Sequence, residues 1–477
     1  MGIRCSGAMG PGIVNGACSY WWPMDLIRDP IPVLVRKLAI PASIGFFFNT
    51  MYNVVDTFYA GKVSTSALAA LSLSFPTFFI VLAIGAGVSQ GATALVANSL
   101  GAGEKGEAGF VSRQALTLGG LLAVFLSLVG WFAVSSVFEF LRAEGETLEL
   151  ATRYMRVILV GGVFFFIQSI LNAGLNAQGD TRTYRNLLIG SFFLNLVLDP
   201  WFLYGGLGVP AMGIRGVALA TVVIQAGGCV YLYFVVRSTP LWKGASARDY
   251  IPKKRTILAI LGQGTPAALN MMSVALGIFI ITRFVSVYGK EGVAAYGVAT
   301  RVEQIILLPT IGLNIAVLSL AGQNNGAGRM DRVREVWVTT MRYGLLLMVV
   351  GGALLFGFRG MMMGFFTEDP VVVALGADYL GVASITLCSY VFLFQTVFML
   401  QGVKRPMYAL WIGLYRQIVA PILVFTLLSR TFGWGIWGIW WGVFIVTWSA
   451  AIFTYFYGSR MLARLEADAP APSEAGD

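Results

Sequence analysis

The sequence contains no histidine, and this absence excludes several kinds of chemistry. Catalysis by an imidazole base, proton relays through histidine and imidazole metal sites all need that residue. Cysteine is also scarce: Cys5, Cys18, Cys229 and Cys388 show neither metal-site spacing nor a paired framework. We therefore interpret the cysteines as isolated structural thiols, and we expect a protein that is not an enzyme and carries no cofactor.

Charged residues make up only 12% of the chain, whereas 57% of its residues are hydrophobic. Soluble domains contain about 25% charged residues, and the mean hydropathy here is +0.76. The composition therefore predicts an all-α integral membrane protein. Since one span needs roughly 20 apolar residues, the chain is long enough for about twelve transmembrane helices.

The net charge of +10 is distributed unevenly. Most lysines and arginines lie in alternate loops, which is the bias of cytoplasmic loops in membrane proteins. This pattern predicts a multi-pass protein of a bacterial or archaeal inner (plasma) membrane, with both termini and the basic loop 237–255 in the cytoplasm. It argues against nucleic acid as a partner. Nothing in the sequence requires an oligomer, so we expect a monomer in the lipid bilayer.

Twelve apolar stretches can be recognised, and the one substantial polar linker divides them six and six. They are residues 33–60, 65–95, 108–136, 148–176, 184–206, 212–237, 255–288, 292–322, 332–358, 371–400, 406–429 and 434–459. We predict an N-terminal cytoplasmic extension (1–30), an N-lobe (31–237), a cytoplasmic linker (238–254), a C-lobe (255–462) and a disordered cytoplasmic tail (463–477). A start at Met24, or a chance match, explains the myristoylation pattern at the first residues better than a lipid anchor does.

The two halves repeat one another in sequence order. Pro41-Ala42 recurs as Pro266-Ala267, Ala69-Ala70 as Ala294-Ala295, Gly101-Ala102-Gly103 as Gly326-Ala327-Gly328, and Tyr154 as Tyr379. The repeat predicts two pseudo-symmetric six-helix lobes related by an axis near the membrane normal. Such repeats are typical of alternating-access transporters, whose sites lie at or beside the interface between repeats.

The first apolar stretch carries a polar stripe. Asn49, Tyr52, Asn53 and Asp56 are spaced i, i+3, i+4 and i+7, so a helix places them on one side. A carboxylate within the bilayer costs several kcal/mol, about 2.5–3.5 on insertion scales, and such an acid usually faces a protein interior or an aqueous cavity. Pro41 is upstream and marks a point where the helix can bend.

A second acid lies in the fifth stretch. Asn195 and Asp199 are four residues apart, as are Thr221 and Gln225 in the sixth stretch. In the repeat, Asp56 corresponds to Ile281 and Asp199 to Ala420, so packing does not require the acids. Oxygens of Asp56, Asn195, Asp199 and Thr221 could hold Na⁺, or the two acids could exchange protons.

Other intramembrane polar residues allow two interpretations each. Asn172 and Asn176 either line a substrate cavity or make interhelical hydrogen bonds. The other residues expected to line the cavity are Tyr52, Asn53, Asn49 and Gln225. Glu303 fits an ion pair with Arg301 or Arg283 better than a second cation site. Arg416 lacks an obvious partner in the sequence, and the tryptophans at 434–441 suggest an interfacial belt.

Residues 24–462 resemble the MATE (multidrug and toxic compound extrusion) transporters. The resemblance is carried by MDLIRDPIPVLVRKLAIP at the start, NVVD with Thr57, NLVLDP, GVALAT and YGVATRVEQ. It implies twelve helices in two six-helix lobes and drug export driven by Na⁺ or H⁺ entry.

Residue placement resembles the DinF-type branch. That branch carries coupling acids in the N-lobe, which implies this role for Asp56 and Asp199, and its bending proline matches Pro41. The NorM-type branch uses a glutamate where this chain has Val274. We expect efflux of hydrophobic or cationic small molecules by antiport with H⁺ or Na⁺. A flippase for lipid-linked or amphipathic substrates is the alternative.

Overall fold

The structure, a computed structural model, describes residues 24–141 and 143–468, which contain twelve long helices. The first six are α1 (Ile31–Val63), α2 (Thr65–Gly101), α3 (Lys105–Phe140), α4 (Gly145–Ala177), α5 (Arg182–Tyr204) and α6 (Ile214–Ser238). The others are α7 (Lys254–Val285), α8 (Lys290–Gly326), α9 (Met330–Gly364), α10 (Pro370–Gly402), α11 (Met407–Thr431) and α12 (Ile436–Asp468). Each is long and apolar enough to cross a membrane, as the composition predicted.

Local sequence sets several helix ends. The Ser64 hydroxyl accepts the Ala67 N–H at the start of α2, and the Asp369 carboxylate accepts the Val371 N–H at the start of α10. Gly103 and Gly328, which correspond in the repeat, follow α2 and α8 with φ of 79° and 71°. A residue with a side chain is strained in that conformation, so glycine ends both helices in the same way.

Helix α11 departs from regular α-helical geometry. It runs as an α-helix over Met407–Leu414, a π-helix over Tyr415–Val419, an α-helix over Ala420–Phe425 and a second π-helix over Thr426–Thr431. π-Helical turns are rare and are found frequently at functional sites. The first of them contains Arg416.

Helices α1–α6 and α7–α12 form two pseudo-symmetric lobes. We call the side of the bundle where α1 begins and α12 ends the terminal side, and the opposite side the far side. Towards the far side each lobe has its own apolar cluster, containing Phe138 and Met155 in the N-lobe and Phe425 and Trp440 in the C-lobe. The largest cluster joins the lobes instead: Leu34 and its neighbours at the start of α1 pack with residues of α8–α12.

Small residues allow the lobes to approach closely at two equivalent seams. A Cβ atom at Gly87 in α2 would lie 2.6 Å from the Gly264 carbonyl oxygen in α7. At the equivalent seam, a Cβ atom at Gly312 in α8 would overlap the Ala39 carbonyl oxygen in α1. The equivalence confirms the pseudo-twofold relation expected from the repeated sequence.

A third contact crosses the pseudo-twofold axis itself. A Cβ atom at Gly101, at the end of α2, would overlap the Gln323 carbonyl oxygen, and one at Gly326 would overlap the Asn98 carbonyl oxygen. The Asn98 side chain also donates to the Gly402 carbonyl oxygen at 2.8 Å. The terminal-side ends of α2 and α8 therefore hold the two lobes together.

Two segments outside the predicted lobes pack against the helices. The predicted linker packs on α3, with Trp242 donating to the Ser112 hydroxyl at 3.1 Å and Arg113 paired with Asp249 at 3.0 Å. The predicted start of a disordered tail at residue 463 is wrong, because α12 continues to Asp468 and Glu466 pairs with Arg334 at 2.6 Å. Residues 1–23 and 469–477 lie outside the described residues.

Candidate functional site

Three helices of the N-lobe bring four predicted residues together. Asp56 comes from α1, Asn195 and Asp199 from α5, and Thr221 from α6. The Asn195 amide donates to Asp56 Oδ1 at 2.9 Å, and the Thr221 hydroxyl lies 3.5 Å from Asp56 Oδ2. All four side chains are buried, Asn195 and Asp199 completely.

Asp199 occupies the least satisfied position in this group. Its carboxyl group adjoins both the Asp56 carboxyl group and the Asn195 side-chain amide. Neither Asp199 oxygen accepts a hydrogen bond of ordinary geometry from any described residue, and Asn195 Oδ1 is also without a donor there. Buried polar atoms without partners cost about 1–3 kcal/mol each, so the arrangement favours a bound proton or cation.

Two tyrosines complete the site. Tyr52 lies one turn before Asp56, is buried, and has its hydroxyl beside Thr221. Tyr154 from α4 is also buried and close to both acids. Tyr154 is not among the site residues predicted from the sequence, although its recurrence as Tyr379 was a usable signal. A repeated polar residue inside an apolar helix has a reason to be retained in both lobes.

The donor set suits a proton or a hard monovalent cation. Oxygens of Asp56, Asp199, Asn195, Thr221 and Tyr52 converge there, and hard cations prefer oxygen ligands. Among the described residues no group of three or more His, Cys, Asp or Glu side chains is close enough to share a metal ion. The oxygens that would hold Na⁺ are those of Asp199 and Asn195 and the Tyr52 hydroxyl, all of which lack a hydrogen-bond partner among the described residues.

The other predicted cavity residues of α1 and α6 are near this site but differ from one another in burial and in hydrogen bonding. Asn49 is half-buried, whereas Asn53 is exposed and donates to the Asn49 carbonyl oxygen at 2.8 Å. Gln225 lies one turn beyond Thr221, and its Oε1 atom is buried without a hydrogen-bond partner among the described residues. The stripe on α1 therefore divides into a buried edge, Tyr52 and Asp56, and an exposed edge.

Asn172 and Asn176 are not brought to the two acids. Asn172 lies five turns from Tyr154 along α4, about 27 Å towards the terminal side. In that region the Thr93 hydroxyl of α2 lies 3.4 Å from the Ala173 carbonyl oxygen, and the Gln323 amide of α8 donates to the Ala177 carbonyl oxygen at 2.7 Å. These two asparagines thus belong to the region where the lobes meet.

Pro41 lies where α1 contacts both lobes. The helix is continuous through the proline. The Thr181 hydroxyl donates to the Leu38 carbonyl oxygen at 2.9 Å, and Ser43 donates to the Pro309 carbonyl oxygen of the C-lobe at 3.2 Å. A bend at Pro41 would therefore change contacts on both sides of the seam.

The ion pair predicted for Glu303 is wrong. Glu303 Oε2 accepts a hydrogen bond from the Tyr379 hydroxyl at 2.8 Å, whereas Arg301 is exposed. Residues two apart on a helix point about 200° apart, so Arg301 cannot follow Glu303 inward. The belt interpretation also fails for Trp440, which is completely buried against Tyr379.

Family comparison agrees with the geometry. The sequence model of the MatE family matches residues 41–201 and again 266–426, once in each lobe. A solved structure described as the outward-facing conformation of a multidrug resistance MATE family transporter superimposes with a TM-score of 0.87. It is 26% identical, and the match covers 93% of this chain and 98% of that one.

Two relatives show the range of names in this family. "Probable multidrug resistance protein NorM" of Thermotoga maritima is 28% identical over 360 residues, which cover 73% of this chain and 76% of the relative. "FAD transporter" of Shewanella oneidensis is 28% identical over 404 residues, covering 83% and 87%. With two family matches that together span most of its length, the chain belongs to the MatE family of multidrug and toxic compound extrusion transporters.

Proposed function

We propose that this transporter exports hydrophobic and cationic small molecules in exchange for H⁺ or Na⁺, and that the coupling site is the N-lobe group of Asp56, Asn195, Asp199 and Thr221. The supporting observation is the adjoining pair of buried carboxyl groups, one of which has no hydrogen-bond donor among the described residues. Two like charges in a low dielectric repel strongly, so a proton, Na⁺ or a cationic substrate stabilises the site. These occupants then exclude one another, which is the basis of exchange.

The lobe contacts suggest which step of the cycle this conformation represents. Every seam described above lies on the terminal side, which the distribution of lysine and arginine assigns to the cytoplasm. The acids lie within about two turns of the far-side ends of α1 and α5. We infer an outward-facing state in which H⁺ or Na⁺ enters from outside and displaces the substrate.

We further propose that the chain works in the DinF-type manner, as a monomer in the inner membrane with both termini in the cytoplasm. The acids lie in the N-lobe, and Val274 occupies the position of the NorM-type glutamate. Binding of an ion at Asp56 and Asp199 would change the packing of α1, and Pro41 is the point where α1 can bend. The flippase alternative has no support from the relatives named above.

A second class of substrate is suggested by the Shewanella relative. FAD carries a diphosphate group and is anionic at neutral pH. A membrane-embedded arginine, Arg416, is the feature of this chain that would favour such a substrate.

The test is ethidium efflux from proteoliposomes under an imposed Na⁺ or proton gradient. We expect efflux to follow one gradient and to be lost in Asp56→Asn and in Asp199→Asn, because each variant removes one of the exchanging charges. Asp331→Asn provides a matched control, since Asp331 is exposed and pairs with Arg329 at 3.1 Å outside the site. Full gradient-driven efflux by both site variants would refute the proposed coupling site.

A further inference from the structure

The C-lobe contains a second buried polar group that the coupling site does not use. Glu303 of α8 is only 5% exposed and accepts the Tyr379 hydroxyl of α10 at 2.8 Å. The Tyr390 hydroxyl, also from α10, lies beside both the Glu303 carboxylate and the Arg416 guanidinium of α11. Three helices therefore converge on one acid, one cation and two phenols.

The repeat shows that this group corresponds to the N-lobe site with its polarity reversed. The segment 195–200 of α5 aligns with the segment 416–421 of α11. In this alignment Asn195 corresponds to Arg416, and Asp199-Pro200 corresponds to Ala420-Pro421. The guanidinium thus occupies the place of the amide, and alanine the place of one acid.

The remaining positions follow the same pattern. Asp56 aligns with Ile281, so the second acid is also replaced by an apolar residue, while Tyr154 aligns with Tyr379 and keeps its phenol. The N-lobe site has two acids and no cation among its described neighbours. Its C-lobe counterpart has a cation, and its acid comes from a different helix, α8.

The local backbone is also rebuilt around Arg416. Arg416 lies in the π-helical turn Tyr415–Val419, a departure from the regular helix that α5 retains. The C-lobe counterpart of Tyr52 is Gly277, and the Gln417 side chain occupies the space that a side chain there would take. These changes permit α11 to approach α7 closely and direct Arg416 towards α8 and α10.

Arg416 has donors to offer a ligand. Its guanidinium is centred 5.4 Å from the Tyr390 ring, a cation–π contact, and the residue is partly exposed. Among the described residues no carboxylate lies within ion-pair distance of it. A guanidinium has five N–H donors and binds carboxylate or phosphate through two parallel hydrogen bonds. A membrane-embedded cation with unused donors is typical of a functional position.

We propose that Arg416 and the Tyr390 hydroxyl bind the anionic group, a carboxylate or a phosphate, of an amphiphilic substrate in the C-lobe. Glu303 balances the arginine charge through Tyr390 when no anion is bound. The proposal rests on the export function above and extends its substrates from cations to zwitterions and anions. The N-lobe acids and the C-lobe arginine would then recognise opposite ends of a zwitterionic molecule.

The test compares two dyes that differ only in the anionic group: rhodamine B, which has a free carboxylate, and its ethyl ester, which lacks it. Binding to the purified full-length protein in detergent is followed by fluorescence anisotropy. Arg416→Gln should weaken rhodamine B binding about tenfold or more, since one charge-assisted bidentate contact is lost. Binding of the ester should change less than about twofold. Arg416→Lys should retain part of the preference, because it keeps the charge but not the paired geometry.

Glu303→Gln gives a result that misfolding cannot imitate. Removing the competing negative charge should strengthen rhodamine B binding severalfold and leave the ester unchanged. Arg430→Gln is the matched control, because Arg430 is exposed and contacts the Phe284 ring.

Three results would overturn the proposal. One is rhodamine B binding that does not respond to Arg416→Gln. Another is an equal loss of both dyes in a variant whose gel-filtration profile and melting temperature match the parent, which would show a merely structural arginine. If neither dye binds the parent, the proposed export function fails as well. Ethidium efflux that depends on Asp56, combined with rhodamine B binding that ignores Arg416, would contradict only the C-lobe site.

Discussion

Replacing Asp199 by asparagine should stabilise the protein while removing its response to the driving ion. Asp199 is completely buried, and its carboxylate oxygens have no donor of ordinary geometry among the described residues. Such a group costs about 1–3 kcal/mol, and the adjoining Asp56 carboxyl adds repulsion when both are charged. The asparagine amide removes one charge and supplies N–H donors beside Asp56. We therefore expect a gain of about 1–3 kcal/mol in the free energy of unfolding in the absence of the driving ion.

The assay is thermal unfolding in detergent, followed by tryptophan fluorescence at one scan rate, because membrane proteins of this size unfold irreversibly. For a chain of this length about 1–3 kcal/mol corresponds to a melting shift of roughly 1–5 °C. The parent should gain a similar amount when Na⁺ replaces a large organic cation, or when protons are supplied at lower pH. A ligand at 100 times its Kd contributes about 2.7 kcal/mol. Asp199→Asn should be insensitive to that change.

A matched control separates the site from general charge effects. Asp331→Asn makes the same chemical change at an exposed ion pair on the terminal side, and it should keep both the parent stability and the ion response. The reasoning would be refuted if Asp199→Asn melted below the parent while its ion response remained intact. That result would mean that the Asp199 carboxylate is satisfied in a way that the contacts do not show.

Three further predictions concern single contacts. Thr221→Val removes the hydroxyl beside Asp56. It should raise the driving-ion concentration needed for half-maximal efflux about fivefold, since one hydrogen bond is worth about 1 kcal/mol. Gly101→Val places a side chain against the Gln323 carbonyl oxygen and should separate the terminal-side ends of α2 and α8. Pulsed electron paramagnetic resonance between spin labels at these two helix ends should show a longer distance, and efflux should be reduced. Arg332→Leu removes two buried donors, together worth about 3 kcal/mol, and should lower the melting temperature by roughly 3–5 °C at the same scan rate.

Control variants exist for each of these. Thr426→Val removes a hydroxyl that donates within its own helix, at 2.7 Å to the Ile422 carbonyl oxygen, and bonds to no other helix in the described part of the chain. Gly120→Val adds the same side chain where, apart from the local helix backbone, no described atom lies within 4 Å of the new Cβ. Arg329→Leu removes an exposed arginine. If a control variant had the same effect as its partner, the corresponding contact would not be the cause.

Helix number and the repeat were predictable because they depend on properties that add along the chain. Twenty apolar residues in a row can satisfy their backbone groups in a bilayer only as a helix. Helix ends were predicted less well: α2 was expected to stop at residue 95 and continues to Gly101, where Asn98 and Gly101 bind the opposite lobe. Polar ends of long helices look like loop sequence, and only the partner helix shows that they are packed.

The acids of the N-lobe could be selected from the sequence because a membrane makes charge expensive, and because the second lobe lacks them. Their grouping in one site was expected from their common chemistry and from the resemblance to the DinF-type branch, but helix spacing alone does not give it, since α1, α5 and α6 meet only in three dimensions. The same limitation explains the errors at Glu303 and Trp440. Their actual neighbours on α10 are distant in sequence, so proximity along the chain suggested Arg301 and a surface belt instead.

The sequence by itself determined that this chain is a helical membrane protein with two repeated lobes, and that the N-lobe carries two intramembrane acids, Asp56 and Asp199, which the equivalent C-lobe positions lack. Composition, period and repetition are properties of the chain. They predict helices directly, because a bilayer contains no water to bond the backbone groups of an apolar segment. Tertiary structure decided which polar groups meet: Asp199 without a donor beside Asp56, and Arg416 beside Tyr390 in the equivalent place of the other lobe. Those pairings depend on helix rotation and on approach distances set by glycines at the seams, which no single helix encodes.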